Sequence, residues 1–538
     1  MAQELVVRLD RRRFLKGTAL AGALAYTSST ELLAACGGGA SEAGGGGELS
    51  DTLVYAFLLD MQVPDPDIFY EGEGLAVTLS CYDSLIRYKD DSPELEPSLA
   101  EAWEVTPDGL TYTFHLKDGV TFHDGSPCDA TAWIRSMERR TKVNQGPAYM
   151  LAQVAKTEAP DAATLVVRLR QPVQPFLDYL ACPWGQKVVS PTAVAKNAKG
   201  DDLAQAWLES HDAGTGAYTI AEFEPGSHYT LQAYDGYWGK APEFSTVRIE
   251  IIPDVSTQRL KFEQGEVNLI TKGMPIDDIK TFEGKPGFTV EKRPVAWKSA
   301  IFVNPNKGIF ADQKVRQALR LALDRQALLE PTYGDTAKLS TQFYPSGMLP
   351  DGVAPDDPEH DPSVLKGLVA GLDDKKVDIA YDEQGGATDR RLAELVQTQL
   401  QALGLEVTVR GMPTSQTFAL FETPEAERPN LLVAISGGDA LNADTELRIV
   451  FRTGAEPLNW FGYTLPELDQ VMDQAQAATT KEAAYQGFAK AAELILDQGW
   501  LINLGDQQDV LLMTEGIGGV VHDMAAGRQV RLEKLTKT

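Results

Sequence analysis

Apolar and polar residues recur along this chain with two periods, and the two alternate. The run Thr52-Leu-Val-Tyr-Ala-Phe-Leu58 is rich in strand formers and predicts a first buried strand. Between Leu110 and Phe122 the residues alternate around Asp118-Gly119, which predicts a hairpin. Asp129 is then placed to cap a helix with Ala130, Ile134 and Met137 on one face. From Asp312 a second helix follows, with Val315, Ala318, Leu319, Ala322 and Leu323 at helical spacing. Val377-Asp-Ile-Ala-Tyr381 reads as a strand, and Leu392, Leu395, Val396, Leu400 and Leu403 as one face of a helix that Gly404 ends. Leu405-Glu-Val-Thr-Val409 alternates again. Strand, helix, strand with a glycine stop is a βαβ unit, so part of the sheet is parallel and the fold class is α/β.

The N-terminal stretch follows neither period. A basic segment containing Arg11, Arg12, Phe14, Leu15 and Lys16 precedes a mild apolar run from Gly17 to Tyr26. That run is far short of the roughly 20 residues that cross a bilayer, so it reads as an export signal and not as an anchor. Arg-Arg-x-Phe-Leu-Lys resembles the twin-arginine signal, and Leu33-Ala34-Ala35-Cys36 resembles the lipobox of bacterial lipoproteins. The resemblance implies that Cys36 becomes the first mature residue and carries lipid. Gly37 to Gly47 is then a flexible tether that lets a folded body stand off a membrane surface. The expected location is extracytoplasmic: the periplasm, or the outer face of the cytoplasmic membrane.

Composition narrows the chemistry. With a formal net charge of −28, the chain repels phosphate backbones and anionic lipid heads, which argues against nucleic-acid binding. Its 538 residues, 43% hydrophobic, suffice for two or three domains. Beyond Cys36, the cysteines Cys81, Cys128 and Cys182 permit at most one internal bridge, or are all buried thiols. A twin-arginine signal often accompanies cofactor enzymes, but His-Glu-x-x-His, Cys-x-x-Cys, Gly-x-Gly-x-x-Gly after a strand, the P-loop and Gly-x-Ser-x-Gly are all missing. His115 and His123 read as polar strand positions and not as a metal pair. No catalytic residue, metal or cofactor is assigned.

One stretch is distinctive. Pro97 to Pro127, containing Ala-Glu-Ala-Trp-Glu-Val-Thr-Pro-Asp-Gly-Leu-Thr-Tyr-Thr-Phe-His-Leu-Lys-Asp-Gly-Val-Thr-Phe-His-Asp-Gly, resembles the signature of the extracytoplasmic solute-binding proteins of family 5. These are the oligopeptide-, dipeptide- and nickel-binding receptors of ABC importers. Residues 214–226, 234–254, 262–270, 302–325 and 461–475 follow the family order. The resemblance implies a two-lobed periplasmic-binding-protein fold (type II) with an extra domain inserted in lobe I. Lobe I would be residues 48–85, 212–295 and 500–538, the extra domain 86–211 and lobe II 296–499, after a signal peptide (1–35) and a tether (36–47). It further implies a monomer that closes on a peptide or other small solute, serves ABC permease subunits and is lipid-anchored.

Peptide-binding members place the aspartate of a Trp-x-x-Asp stretch against the ligand's α-amino group, and the matching stretch here is Ser436-Gly437-Gly438-Asp439. Asp439 is retained; Ser436 stands where the family often has tryptophan. The family's peptide-pairing segment matches Tyr70 to Gly74, making Glu71 and Glu73 candidates for a cationic ligand. Trp297, at the expected lobe crossing, and Trp460, beside Asn459, either line the cleft or pack the core. Besides a peptide, a nickel chelate, an oligosaccharide or another small molecule stays open as the solute. An exported enzyme and a receptor that signals without transport are the remaining alternatives.

Overall fold

The computed structural model describes residues 50–538 apart from 91, 341, 351, 354–358, 384–385, 456–457, 522 and 528. Arg11, Arg12, Phe14, Leu15, Lys16 and Cys36 therefore lie outside the described residues.

One sheet organises the body. From edge to edge its main path is Glu406–Met412, Lys376–Asp382, Leu431–Ser436, Phe288–Val303, Leu501–Thr514, Leu269–Ile270, Thr52–Phe57, Thr246–Ile251, His228–Ala233 and Tyr218–Glu224. Phe288–Val303 and Leu501–Thr514, the two long central strands, pass through both lobes. Their antiparallel register is regular from Phe288↔Thr514 to Pro294↔Gln508 and resumes at Lys298↔Asp506. Pro294 cannot donate a ladder hydrogen bond, and the irregularity that follows it marks the passage between lobes.

On one side of that passage lies a core of Tyr55, Tyr218, Leu231, Ile249 and Met513. On the other, Ile301, Leu319, Ile379 and Leu400 form a second. The expected βαβ unit is in this second lobe: Lys376–Asp382 pairs in parallel with Glu406–Met412, joined by the helix Gly386–Ala402. Gly404, at φ 95°, makes the turn after that helix. The helix Gln313–Ala322 begins as expected on Asp312, whose side chain accepts from the Lys314 amide.

Added to the first lobe is a four-stranded antiparallel sheet, Ala100–Val105, Thr111–Leu116, Thr164–Leu169 and Val154–Asp161, with the helix Ala130–Val143 against it. Asp129 caps that helix through the Ala132 amide. The hairpin expected around Asp118-Gly119 does not form. Thr111–Leu116 pairs instead with Ala100–Val105 and Thr164–Leu169, and the chain past Gly119 forms only a Thr121–Pro127 bridge. The reason lies at His123, whose amide donates to Gly214 O (2.9 Å) and whose ring bonds Asp212 and Gly216 O, so the segment is fastened to the first lobe.

The added domain also packs on the second lobe. One continuous apolar core holds Phe114, Trp133 and Phe176 of the former with Phe302, Phe451 and Trp460 of the latter. Cys81, Cys128 and Cys182 are all free and buried, so no bridge joins any pair of them. Among the described residues no helix is long and apolar enough to cross a membrane.

Candidate ligand-binding site

Asp439 follows the strand Leu431–Ser436 after two glycines that close packing demands. A Cβ on Gly437 would lie 2.5 Å from Trp297 Cδ1 and 2.8 Å from the Ala296 carbonyl; one on Gly438 would lie 2.9 Å from the Glu446 amide. Asn442 then caps the helix Ala443–Val450 by accepting from the Asp444 and Thr445 amides. Strand end and helix cap together fix the loop that carries Asp439.

Two tyrosines from elsewhere meet it. Tyr70 follows a segment locked to the added domain by buried ion pairs: Arg139 with Asp65 and Asp67, both at 2.5 Å, and Arg140 with Asp67 at 2.9 Å. Tyr149 belongs to the short helical turn Gly146–Leu151. Both hydroxyls donate to Asp439 Oδ2, Tyr149 at 2.6 Å. Oδ1 accepts no hydrogen bond, and no lysine or arginine pairs with the carboxylate, among the described residues. Asp439 is only 7% exposed. Burial pushes its pKa up to about 6, against the opposing pull of the two hydroxyls.

The carboxylate borders a cavity of about 210 Å³ at the junction of first lobe, added domain and second lobe. Trp184, Trp297, Phe418 and Trp460 supply apolar wall, while Glu71, Lys272, Asp389 and Gln529 supply polar groups. Burial raises the pKa of Glu71, opposed by Lys272. Trp184 Nε1 donates to the Glu71 carbonyl at 3.2 Å, and Gln529 Nε2 to the Gly72 carbonyl at 3.0 Å, which holds the Tyr70–Gly72 edge of the cavity.

Four of the six ligand-contact candidates therefore meet here: Asp439, Trp297, Trp460 and Glu71. Trp460 is also core, with its ring edge-on to Phe302 at 4.8 Å. The other two, Asn459 and Glu73, do not line this cavity. Asn459 is fully buried and spends its amide on backbone: Nδ2 donates to Arg452 O and Tyr463 O, and Oδ1 accepts from Tyr463 N. Glu73, 3% exposed, accepts from the Leu58 amide at 2.9 Å and pairs with Lys272 at 2.9 Å, bracing the cavity edge from behind. Ser436, in the tryptophan's place, is buried and donates to Glu446.

Tyr149, Trp184, Lys272 and Gln529 were not singled out from the sequence. Tyr149 reaches Asp439 across 290 positions, a pairing no local pattern encodes. Trp184, a large aromatic in the Cys-Pro-Trp-Gly turn, offered the one local hint. Among the described residues no group of histidine, cysteine or carboxylate side chains is placed to hold a metal ion.

Comparison with known proteins agrees with this architecture. The chain is 24% identical over 496 residues to the probable D,D-dipeptide-binding periplasmic protein DdpA of Escherichia coli (strain K12), covering 90% of this chain and 94% of that one. The structure of DppA from Helicobacter pylori, an ABC transporter-associated periplasmic binding protein in complex with peptide STSA, superposes with a TM-score of 0.78 at 23% identity. That match covers 90% of this chain and 98% of DppA. NikA from Brucella suis, in complex with Fe(III)-EDTA, superposes with a TM-score of 0.78 at 21% identity, over 90% of this chain and all of NikA (100%). The fold is thus the two-lobed α/β fold of type II periplasmic binding proteins. The profile described as "Bacterial extracellular solute-binding proteins, family 5 Middle" matches residues 94–456, and the chain belongs to that family.

Proposed function

We propose that the protein is a lipid-anchored extracytoplasmic receptor that closes on a short peptide and delivers it to an ABC permease. The observation that carries the peptide reading is Asp439. A carboxylate buried without a cation is costly, and this one keeps Oδ1 unbonded at the edge of a cavity. The α-ammonium of a peptide is the cation such a site lacks. Trp297, Trp460 and Glu71 enclose the remainder of the ligand. The peptide named in the DppA complex and the dipeptide in the name of DdpA support the same class.

In this reading the passage near residue 295 and its counterpart near 500 form the hinge. Lobe I is residues 48–85, 212–295 and 500–538, the added domain 86–211 and lobe II 296–499. Cys36 carries the lipid after twin-arginine export, and the glycine-rich tether holds a monomeric receptor beside its permease. No residue is given a catalytic role.

Native mass spectrometry of the protein purified from a peptide-rich host tests this. The expected result is a set of mass additions that resolve into short peptides after denaturation and are lost in Asp439→Ala. A protein that carries a metal chelate or a sugar instead overturns the peptide reading.

A further inference from the structure

Four tyrosines grip one short segment of the second lobe. Residues 439–444 follow the strand Leu431–Ser436 and open the helix Ala443–Val450. Tyr70 and Tyr149 bond Asp439 at its start. Further along, Tyr88 Oη accepts from the Leu441 amide at 3.0 Å, and Tyr179 donates to Asp444 Oδ2. All four rings come from across the seam, Tyr70 from the first lobe and the others from the added domain. The first pair sits on the carboxylate that the ligand would hold. The second pair does not: Tyr88, Tyr179, Leu441 and Asp444 are not among the residues that line the ligand cavity.

We infer that Tyr88 and Tyr179 form a ligand-independent clasp, positioning residues that draw the second lobe onto the added domain and set how much of the protein is closed before a solute arrives. The inference rests on the closure of the lobes in the reading above, and not on the identity of the solute.

Both contacts are dry, with Tyr88 2% exposed, Tyr179 3% and Asp444 0%. Gln476 of the second lobe adds to them: its Nε2 donates to Tyr179 Oη at 3.0 Å, and its carbonyl accepts from the Gln174 amide of the added domain at 2.8 Å. Yet parting the seam strands no charge. Asp444 keeps Arg448, four residues on in the same helix, at 3.0 Å, and Gln476, whose Nε2 donates to Oδ2 at 3.2 Å. Tyr88 keeps Asp178 of its own domain, to which its hydroxyl donates at 3.0 Å. What opening frees is hydroxyl and main-chain groups, which water satisfies. The crossing bonds therefore bias the equilibrium and do not lock it.

Leu441 lies two positions after Asp439, so the bond to Tyr88 also seats the loop that carries the ligand carboxylate. When only a fraction of a protein is competent to bind, every ligand is weakened by that fraction. Loosening the clasp therefore lowers affinity by one factor, whatever the solute. Loss of one net hydrogen bond changes the closed-to-open ratio about fivefold, and loss of one to a charged group about tenfold or more.

The test is small-angle X-ray scattering of the ligand-stripped protein, wild type against Tyr88→Phe, Tyr179→Phe and the double variant, with titration calorimetry of Ala-Ala, Phe-Ala and Ala-Lys on the same samples. The expected result is a radius of gyration that grows from wild type to double variant, with all three dipeptides weakened in the double variant by a common factor of about fivefold or more. A double variant that scatters as wild type does overturns the clasp. So does a loss that differs from one dipeptide to another, which would place the hydroxyls against the ligand. Should the double variant not fold, each single variant shows a smaller shift of the same kind. If none of the dipeptides binds, the peptide reading falls and the scattering alone decides the clasp.

Discussion

Tyr149 of the added domain donates a 2.6 Å hydrogen bond to Asp439 of the second lobe. With Tyr70 on the same oxygen, three parts of the chain converge on one carboxylate. The group expected to bind ligand is therefore also a fastening between the bodies that enclose it.

Affinity and stability should respond to pH with opposite signs. Asp439 must be ionised to hold an ammonium, so affinity for a dipeptide should fall by about tenfold per pH unit below its pKa of about 6. Its folded pKa is raised by burial above the unfolded carboxylate value of about 3.9. Its contribution to the empty protein's stability is therefore fully present below that value and lost as pH rises through about 6. Asp178, raised to about 6 by burial, and Glu446, raised to about 7, share the sign. Titration calorimetry and thermal melts of the same samples between pH 4 and 8 check both; an affinity that is flat from pH 5 to 8 refutes the role of Asp439.

Tyr149→Phe removes a hydroxyl that lowers the Asp439 pKa. The acid limb of the binding curve should move to higher pH, while affinity at pH 8 changes by less than about threefold, because the ammonium contact is untouched. An unmoved limb with weaker binding at every pH would give Tyr149 a packing role alone.

Arg139→Ala should cost about 3–5 kcal/mol of unfolding free energy, because it leaves Asp65 and Asp67 buried with one cation fewer. Urea denaturation measures it. The loss should exceed that of Arg135→Ala, whose ion pair with Glu138 is exposed.

Gly437→Ala and Gly367→Ala should diverge. The first pushes a methyl against Trp297 and the Ala296 carbonyl, costs about 1–3 kcal/mol and reshapes the ligand cavity. The second meets nothing within 4 Å on an exposed helix face and should stabilise by up to about 1 kcal/mol. Denaturation midpoints of the two variants give the comparison.

The sequence was legible where the cause of structure is local. Asp129 and Asp312 cap the helices their periodicity announced, and Gly404 turns where the βαβ pattern ended. The Asp118-Gly119 hairpin was misread because both edges of Thr111–Leu116 are taken, one by Ala100–Val105 and the other by Thr164–Leu169 some fifty residues on, while His123 is fastened to the first lobe. At the site, the family resemblance led to Asp439 and to Glu71 and Glu73 together, and Asn459 entered beside Trp460; Asp439 and Glu71 border the cavity, and Glu73 and Asn459 lie behind it. Which neighbours face a cavity and which brace its back is set by three bodies meeting. Tyr149 and Trp184 could enter only once those bodies were assembled.

The two long central strands carry a mechanical consequence. Phe288–Val303 and Leu501–Thr514 form an antiparallel ribbon between the lobes, with register shifts between Pro294 and Lys298 and between Ser299 and Ala300. In the closure proposed above, any swing of one lobe against the other would turn on these two strands. Because Trp297 lies in the first of these irregular stretches and also walls the cavity, its indole fluorescence is expected to report the proposed closure.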